Sequence, residues 1–191
     1  DVAVTGVQTC ALPIYLHVLR LLISVASLWG ITLAISSGAP GAPIIAAIAL
    51  AFIYSAPWAI RTRNVPIFDS LTSALHFVLP PISGLLLASE FSFTWMPTLT
   101  AFALWNVGNH LLGAIQDIAP DRDAGMSSTA TRFGARATAA LSFCAYFGAS
   151  AALAIGALAG SVPLLAAMLP AVSALSVAPL LLERAGIDAA R

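Results

Sequence analysis

The feature that most limits what this chain can fold into is its succession of long apolar stretches: about Leu16 to Ser36, Ile44 to Ala56, Ser70 to Ser89, Trp95 to Ile118, a fifth running to about Ala159, and Val162 to Leu182. A helix that crosses a bilayer needs about 20 mostly apolar residues, and stretches of this kind, joined by short turns, predict about six crossings. The runs are continuous and rich in Ala and Leu rather than alternating, so helices follow and a barrel does not. With 60% hydrophobic and 8% charged residues and a mean hydropathy of +0.95, the chain has too few charges to coat a soluble core. The fold class predicted is an all-α, polytopic transmembrane helix bundle. A net charge of zero and the lack of a basic tail predict no nucleic-acid partner. Cys10 and Cys144 are unsuited to a disulfide or metal framework.

Local signals refine the spans. The turn cluster at 36 to 43 separates the first two, and Asp69 reads as the N-cap of the third, in which Pro80 and Pro81 predict a kink. Ser127, Ser128 or Thr129 caps the fifth. When the spans alternate across the bilayer, all eight arginines (Arg20, Arg61, Arg63, Arg122, Arg132, Arg136, Arg184 and Arg191) fall on one side, and the opposite turns hold only Glu90. By the positive-inside rule that side is cytoplasmic. The loop at 54 to 69 and the stretch at 116 to 134 then share one membrane face.

The second of these segments, QDIAPDRDAGMSSTATRFG, holds three of the eight acidic residues of a nearly uncharged chain. Asp117 and Asp121 are four apart, so on a helix both carboxylates point to one side, with Cβ atoms about 5–6 Å apart, close enough to share a divalent cation such as Mg²⁺. Pro120 predicts that the helix kinks or ends there. Asp123 faces elsewhere. The shared face adds Tyr54, Arg61 and Arg63, a mixture suited to a metal-bound diphosphate: carboxylates hold the metal, and arginines contact the remaining oxygens. Asn106, Asn109 and His110 lie two to three turns before Asp117 on the fourth span, where polar groups either line a pocket or bond another helix. Tyr54, Trp58, Phe77 and Trp105 are candidates to line a pocket and stabilise a carbocation, or are packing and belt residues. Charged residues also occur wherever loops meet water, and arginines also serve topology alone.

These residues resemble the UbiA-type intramembrane prenyltransferases. The second aspartate-rich motif of that family is matched by Asp117-Ile-Ala-Pro-Asp121-Arg-Asp-Ala-Gly125 with Thr129, Thr131 and Gly134 following, and its tyrosine-bearing loop by Tyr54-Ser-Ala-Pro57 with Arg61 and Arg63. Asp69-Ser70, Asn106 and His110 are most similar to the lycopene elongase branch. The resemblance implies a bundle of nine spans in which an allylic diphosphate such as dimethylallyl diphosphate ionises with Mg²⁺ and its cation is captured by an apolar acceptor drawn from the membrane lipid. Lycopene or a related carotenoid is the implied acceptor, with a quinone precursor or a chlorophyll-type alcohol as alternatives. Asp117 and Asp121 would be metal ligands and catalytic, Tyr54 would border the reacting carbon, Arg61 and Arg63 would hold the diphosphate, and Asn109 and His110 are further substrate contacts.

Two departures stand out. Trp58 occupies a position where the family often has a second proline, and the spacing from Tyr54 to the arginines is one residue longer than usual. The family's first aspartate-rich motif is absent, which predicts that this 191-residue chain is inactive by itself. Val4 to Ile14 fits nothing that follows and resembles the in-frame translation of a sequencing-library adapter, so residues 1–14 are expected to be a non-native leader and 15–191 a partial prenyltransferase domain. Two other classes compete. A phosphatidyltransferase of the CDP-alcohol type expects Asp-Gly and Ala-Arg elements that 117–125 lacks, and a transporter or structural bundle expects ionisable groups near the bilayer midplane.

Overall fold

The structure, a computed structural model, describes residues 6–56 and 60–182, with side chains over 17–56 and 60–181. Cys10, Pro57, Trp58, Arg184 and Arg191 lie outside the residues whose side chains are described. All regular structure among the described residues is helical: α1 (Gly6–Ser36), α2 (Ala42–Ser55), α3 (Phe68–Leu87), α4 (Met96–Gln116), α5 (Ile118–Asp123), α6 (Thr129–Leu158) and α7 (Met168–Leu182). The chain is thus an all-α membrane bundle, as its apolar runs predict.

Four stretches are long and apolar enough to cross a membrane, His17–Ser36, Phe68–Leu87, Thr129–Leu158 and Leu164–Leu181, with a shorter apolar helix over Ala39–Ser55. The expected fourth span, α4, is long enough at 21 residues but not among them. Asn106, Asn109 and His110 lower its hydropathy.

The helix ends show why the chain turns where it does. Pro120 has no amide hydrogen and its ring collides with the carbonyl four residues earlier, that of Gln116. α4 accordingly stops at Gln116, Asp117 takes a non-helical φ/ψ of −93°/3°, and α5 restarts at Ile118. Ser128 caps α6 as anticipated, its hydroxyl accepting from the Thr131 amide. Asp69 does not cap α3. That helix begins earlier, at Phe68, with Ile67 at the cap position and no side-chain cap bond. Asp69 is 1% exposed and engaged across the bundle. Pro80 and Pro81 lie inside α3, which is helical from end to end.

Packing runs chiefly along α4 with α6, α2 with α3, and α6 with α7. Small residues let the backbones close. At Gly108 a β-carbon would come within 2.7 Å of the Tyr146 ring, and the Ser142 hydroxyl donates to the Gly108 carbonyl at 2.8 Å. Tyr146 and Val177 form a small core with Ala139 and Ala174 between α6 and α7. The alternating hairpins carry the connections after α2 and after α4 to one end of the bundle, while the start of α4 meets the end of α6 at the other, where Gly156 abuts Pro97 and Val162.

Candidate functional site

At the first of these ends lies a cavity of about 220 Å³ lined by Tyr54, Arg63, Asp69, Asn109, His110, Gly113, Ala114, Asp117, Asp121, Met126 and Ser128. Six of the seven candidate site residues therefore meet around one space, although they come from separate elements. Tyr54 ends α2, Arg63 sits in the loop that follows, and Asp69 lies in the first turn of α3. Asn109, His110, Gly113, Ala114 and Asp117 recur at helical spacing along one stripe of α4. The small residues in the middle of that stripe leave the volume open between the histidine and the carboxylates.

Arg61 is the exception. It occupies the left-handed region (φ 52°) at the start of a 3₁₀ turn over Thr62–Asn64, and its Nε is buried without a partner. The tight turn separates the two arginines, so that Arg63 faces the cavity and Arg61 does not.

Asp121 stays in helical register with Asp117 despite the break, because the Asp121 amide donates to the Asp117 carbonyl at 2.8 Å. Both carboxylates consequently face the cavity, while Asp123 is exposed to solvent. Arg63 Nη2 contacts Met126 Sδ at 3.0 Å, so that sulfur steadies the guanidinium. The Tyr54 and His110 rings meet edge to face, centroids 6.1 Å apart at 79°. Tyr146 donates its hydroxyl to Asn109 Oδ1 at 2.8 Å from α6, which leaves the Asn109 amide nitrogen as a donor toward the cavity. Tyr146→Phe is expected to cost about 1 kcal/mol of unfolding free energy in a detergent titration, the worth of one hydrogen bond.

Asp69 lines the cavity too, but both of its oxygens are committed. Oδ1 accepts from the Ser70 amide and hydroxyl and from the Thr129 hydroxyl, and Oδ2 from the Thr129 amide. The family resemblance picks out both residues, but local rules do not pair them, because Thr129 is 60 residues away. Met126 and Ser128 were likewise unreadable, whereas Gly113 and Ala114 are visible in hindsight as the small positions between His110 and Asp117. The other expected pocket residues fall elsewhere. Asn106 bonds its own helix at the Phe102 carbonyl (2.8 Å), Trp105 donates to Ser173 at 3.4 Å beside a separate apolar cavity, and Phe77 is half exposed.

Three carboxylates and one guanidinium give the cavity walls a net negative charge, which attracts a cation. Among the described residues no group of three or more His, Cys, Asp or Glu side chains is placed to hold a metal. Asp117 and Asp121 fit a hard divalent ion only if water or phosphate oxygens complete its shell, which is the usual manner of binding for Mg²⁺.

Comparison with known proteins yields a consistent set. The UbiA prenyltransferase family model matches residues 13–190. The chain is 40% identical over 106 residues to a C(50) beta-cyclic carotenoids biosynthesis protein of Dietzia sp., covering 55% of this chain and 24% of that protein. It is 40% identical over 95 residues to the lycopene elongase/hydratase of Corynebacterium glutamicum, 49% of this chain and 32% of the relative. It is 42% identical over 98 residues to the lycopene elongase/hydratase of Halobacterium salinarum, 50% and 33% respectively. The matches thus span about half of this chain and a quarter to a third of the relatives' length. No solved structure matches the chain.

Proposed function

The chain belongs to the UbiA prenyltransferase family, and from that premise we propose that it forms the diphosphate-binding part of an enzyme that transfers a prenyl group from an allylic diphosphate to an apolar acceptor taken from the bilayer. The observation that carries this reading is the meeting of Asp117, Asp121, Arg63 and Tyr54 around one cavity at one end of a membrane bundle. The face that bears it is cytoplasmic, on the strength of the arginines gathered there.

Each side chain has a task. Asp117 and Asp121 would hold a Mg²⁺, which when bound would supply Lewis-acid stabilisation of the diphosphate charge. Arg63 contacts phosphate oxygens, and Asn109 donates from its amide nitrogen. As the allylic carbon–oxygen bond breaks, charge grows on the diphosphate between these groups, while the Tyr54 ring face stabilises the cationic carbon. At an effective dielectric near 20, one charge contact at 4 Å is worth about 4 kcal/mol, so a few suffice as a source of rate. The acceptor is lycopene or a related carotenoid, supported by the names of the relatives.

The test is calorimetry of the 191-residue chain with inorganic pyrophosphate. Binding is expected with Mg²⁺ and should vanish when EDTA removes the metal; metal-independent binding, or none, would sink the reading. Turnover is expected to be absent, because two carboxylates complete only half of a metal site. Formation of prenylated product from dimethylallyl diphosphate by this chain would contradict that expectation.

A further inference from the structure

Three of the polar side chains around Arg63 do nothing to hold its loop. Arg61 Nε, Thr62 Oγ1 and Asn64 Oδ1 are buried without hydrogen-bond partners. Both ends of the loop are also in left-handed backbone conformations without glycine, Arg61 at φ 52° and Ile67 at φ 73°. A β-branched residue adopts such a φ only where its surroundings impose it.

Beyond its packing on α2 and α3, the loop is bonded to one short segment, 126–129. Met126 Sδ accepts from Arg63 Nη2 at 3.0 Å. The Thr129 hydroxyl accepts from the Ile67 amide at 2.6 Å and donates to Asp69 Oδ1 at 2.5 Å, and the Thr129 amide donates to Asp69 Oδ2 at 2.7 Å. Thr129 is wholly buried and Asp69 is 1% exposed. The carboxylate also sits at the starts of both α3 and α6, where the helix dipoles favour a negative charge. Segment 126–129 follows directly on α5, which carries Asp121. The strained loop that carries Arg63 is therefore fastened to the segment that follows the helix of Asp121.

We propose that Asp69 and Thr129 form a latch that fixes the separation between Arg63 and the Asp117/Asp121 pair, making both of them positioning residues for the diphosphate. The proposal rests on the reading that this cavity takes a metal-bound diphosphate. Thr129→Val removes the hydroxyl at constant size, and Thr129→Ser retains it. In calorimetry with inorganic pyrophosphate and Mg²⁺, Thr129→Val weakens binding at least tenfold and Thr129→Ser less than twofold. In an Arg63→Ala background Thr129→Val adds less than twofold, because the residue it positions is gone. An unchanged affinity, or a full tenfold loss in the Arg63→Ala background, overturns the latch.

A ligand-free measurement separates this from the functional reading. Spin labels at Ile60→Cys and Asp123→Cys, with Cys10 and Cys144 changed to serine, give a narrow distance distribution that Thr129→Val broadens and Thr129→Ser preserves. A distribution that stays narrow with Thr129→Val overturns the latch whatever binds. Failure of the unaltered chain to bind pyrophosphate overturns the diphosphate reading, and the distances then decide the latch alone. If Thr129→Val does not fold, Asp69→Asn replaces it with the same expectations.

Discussion

Asp117→Ala is expected to abolish Mg²⁺-dependent pyrophosphate binding, weakening it by a factor of 100 or more, with Asp121→Ala close behind. Each removes one of the two carboxylates proposed to share the metal, and one lost contact between unit charges at about 4 Å near a protein surface is worth up to about 4 kcal/mol. Asp117→Asn should do nearly as much harm, since the shape remains and the charge does not. The loss cannot be mistaken for unfolding. Asp117 is exposed and makes no side-chain cap bond at the junction of α4 and α5. Its replacement should shift stability by no more than about 0.5 kcal/mol, as surface substitutions generally do. Asp123→Asn is the internal control, because that carboxylate is exposed and outside the cavity lining. An Asp117→Ala chain that binds within threefold of the unaltered protein would remove the metal site from the account, and with it the chemical role of Asp121.

The contrast between Asp117 and Asp69 shows what a sequence can and cannot reveal here. Asp117 belongs to a short-range pattern, a carboxylate pair at helical spacing beside a proline that dictates where the helix breaks. Its geometry follows from neighbours within one turn, and α4 does stop one turn before Pro120. The six apolar runs and the cap at Ser128 are legible for the same reason. Asp69 belongs to a long-range arrangement: its partner Thr129 lies beyond two intervening helices, α4 and α5, so local rules could only offer it the role of a cap. The arginines fall between these cases. Their placement at the site end is legible from topology, but which of them enters the cavity depends on a 3₁₀ turn entered through a left-handed Arg61, and a non-glycine residue gives no advance sign of that conformation.

The second large effect concerns the frame that carries Tyr54, and it is set by a single glycine at the far end of α2. Gly41 lies where the turn after α1 doubles back, so close that a β-carbon there would sit 1.9 Å from the Ala34 carbonyl oxygen and 2.5 Å from its carbonyl carbon. These are backbone atoms of a helix, which cannot rotate away as a side chain does. Gly41→Ala must therefore push α1 and α2 apart by roughly 1 Å or more, breaking the packing between them and straining the neighbouring bond from the Ser83 hydroxyl to the Pro40 carbonyl. A loss of about 3 kcal/mol or more is expected, read as a lower midpoint in detergent-driven unfolding. Gly30→Ala on α1 is the matched control. A β-carbon there meets nothing within 4 Å, so the substitution brings only the helix-propensity gain of up to about 1 kcal/mol. Because α2 moves as a rigid rod with Tyr54 at its other end, Gly41→Ala should also weaken pyrophosphate binding, although no altered atom is near the cavity. A Gly41→Ala chain as stable as its Gly30→Ala counterpart would mean that the tight α1–α2 turn is not a fixed part of the fold, and Tyr54 would then lack the support that holds it beside His110.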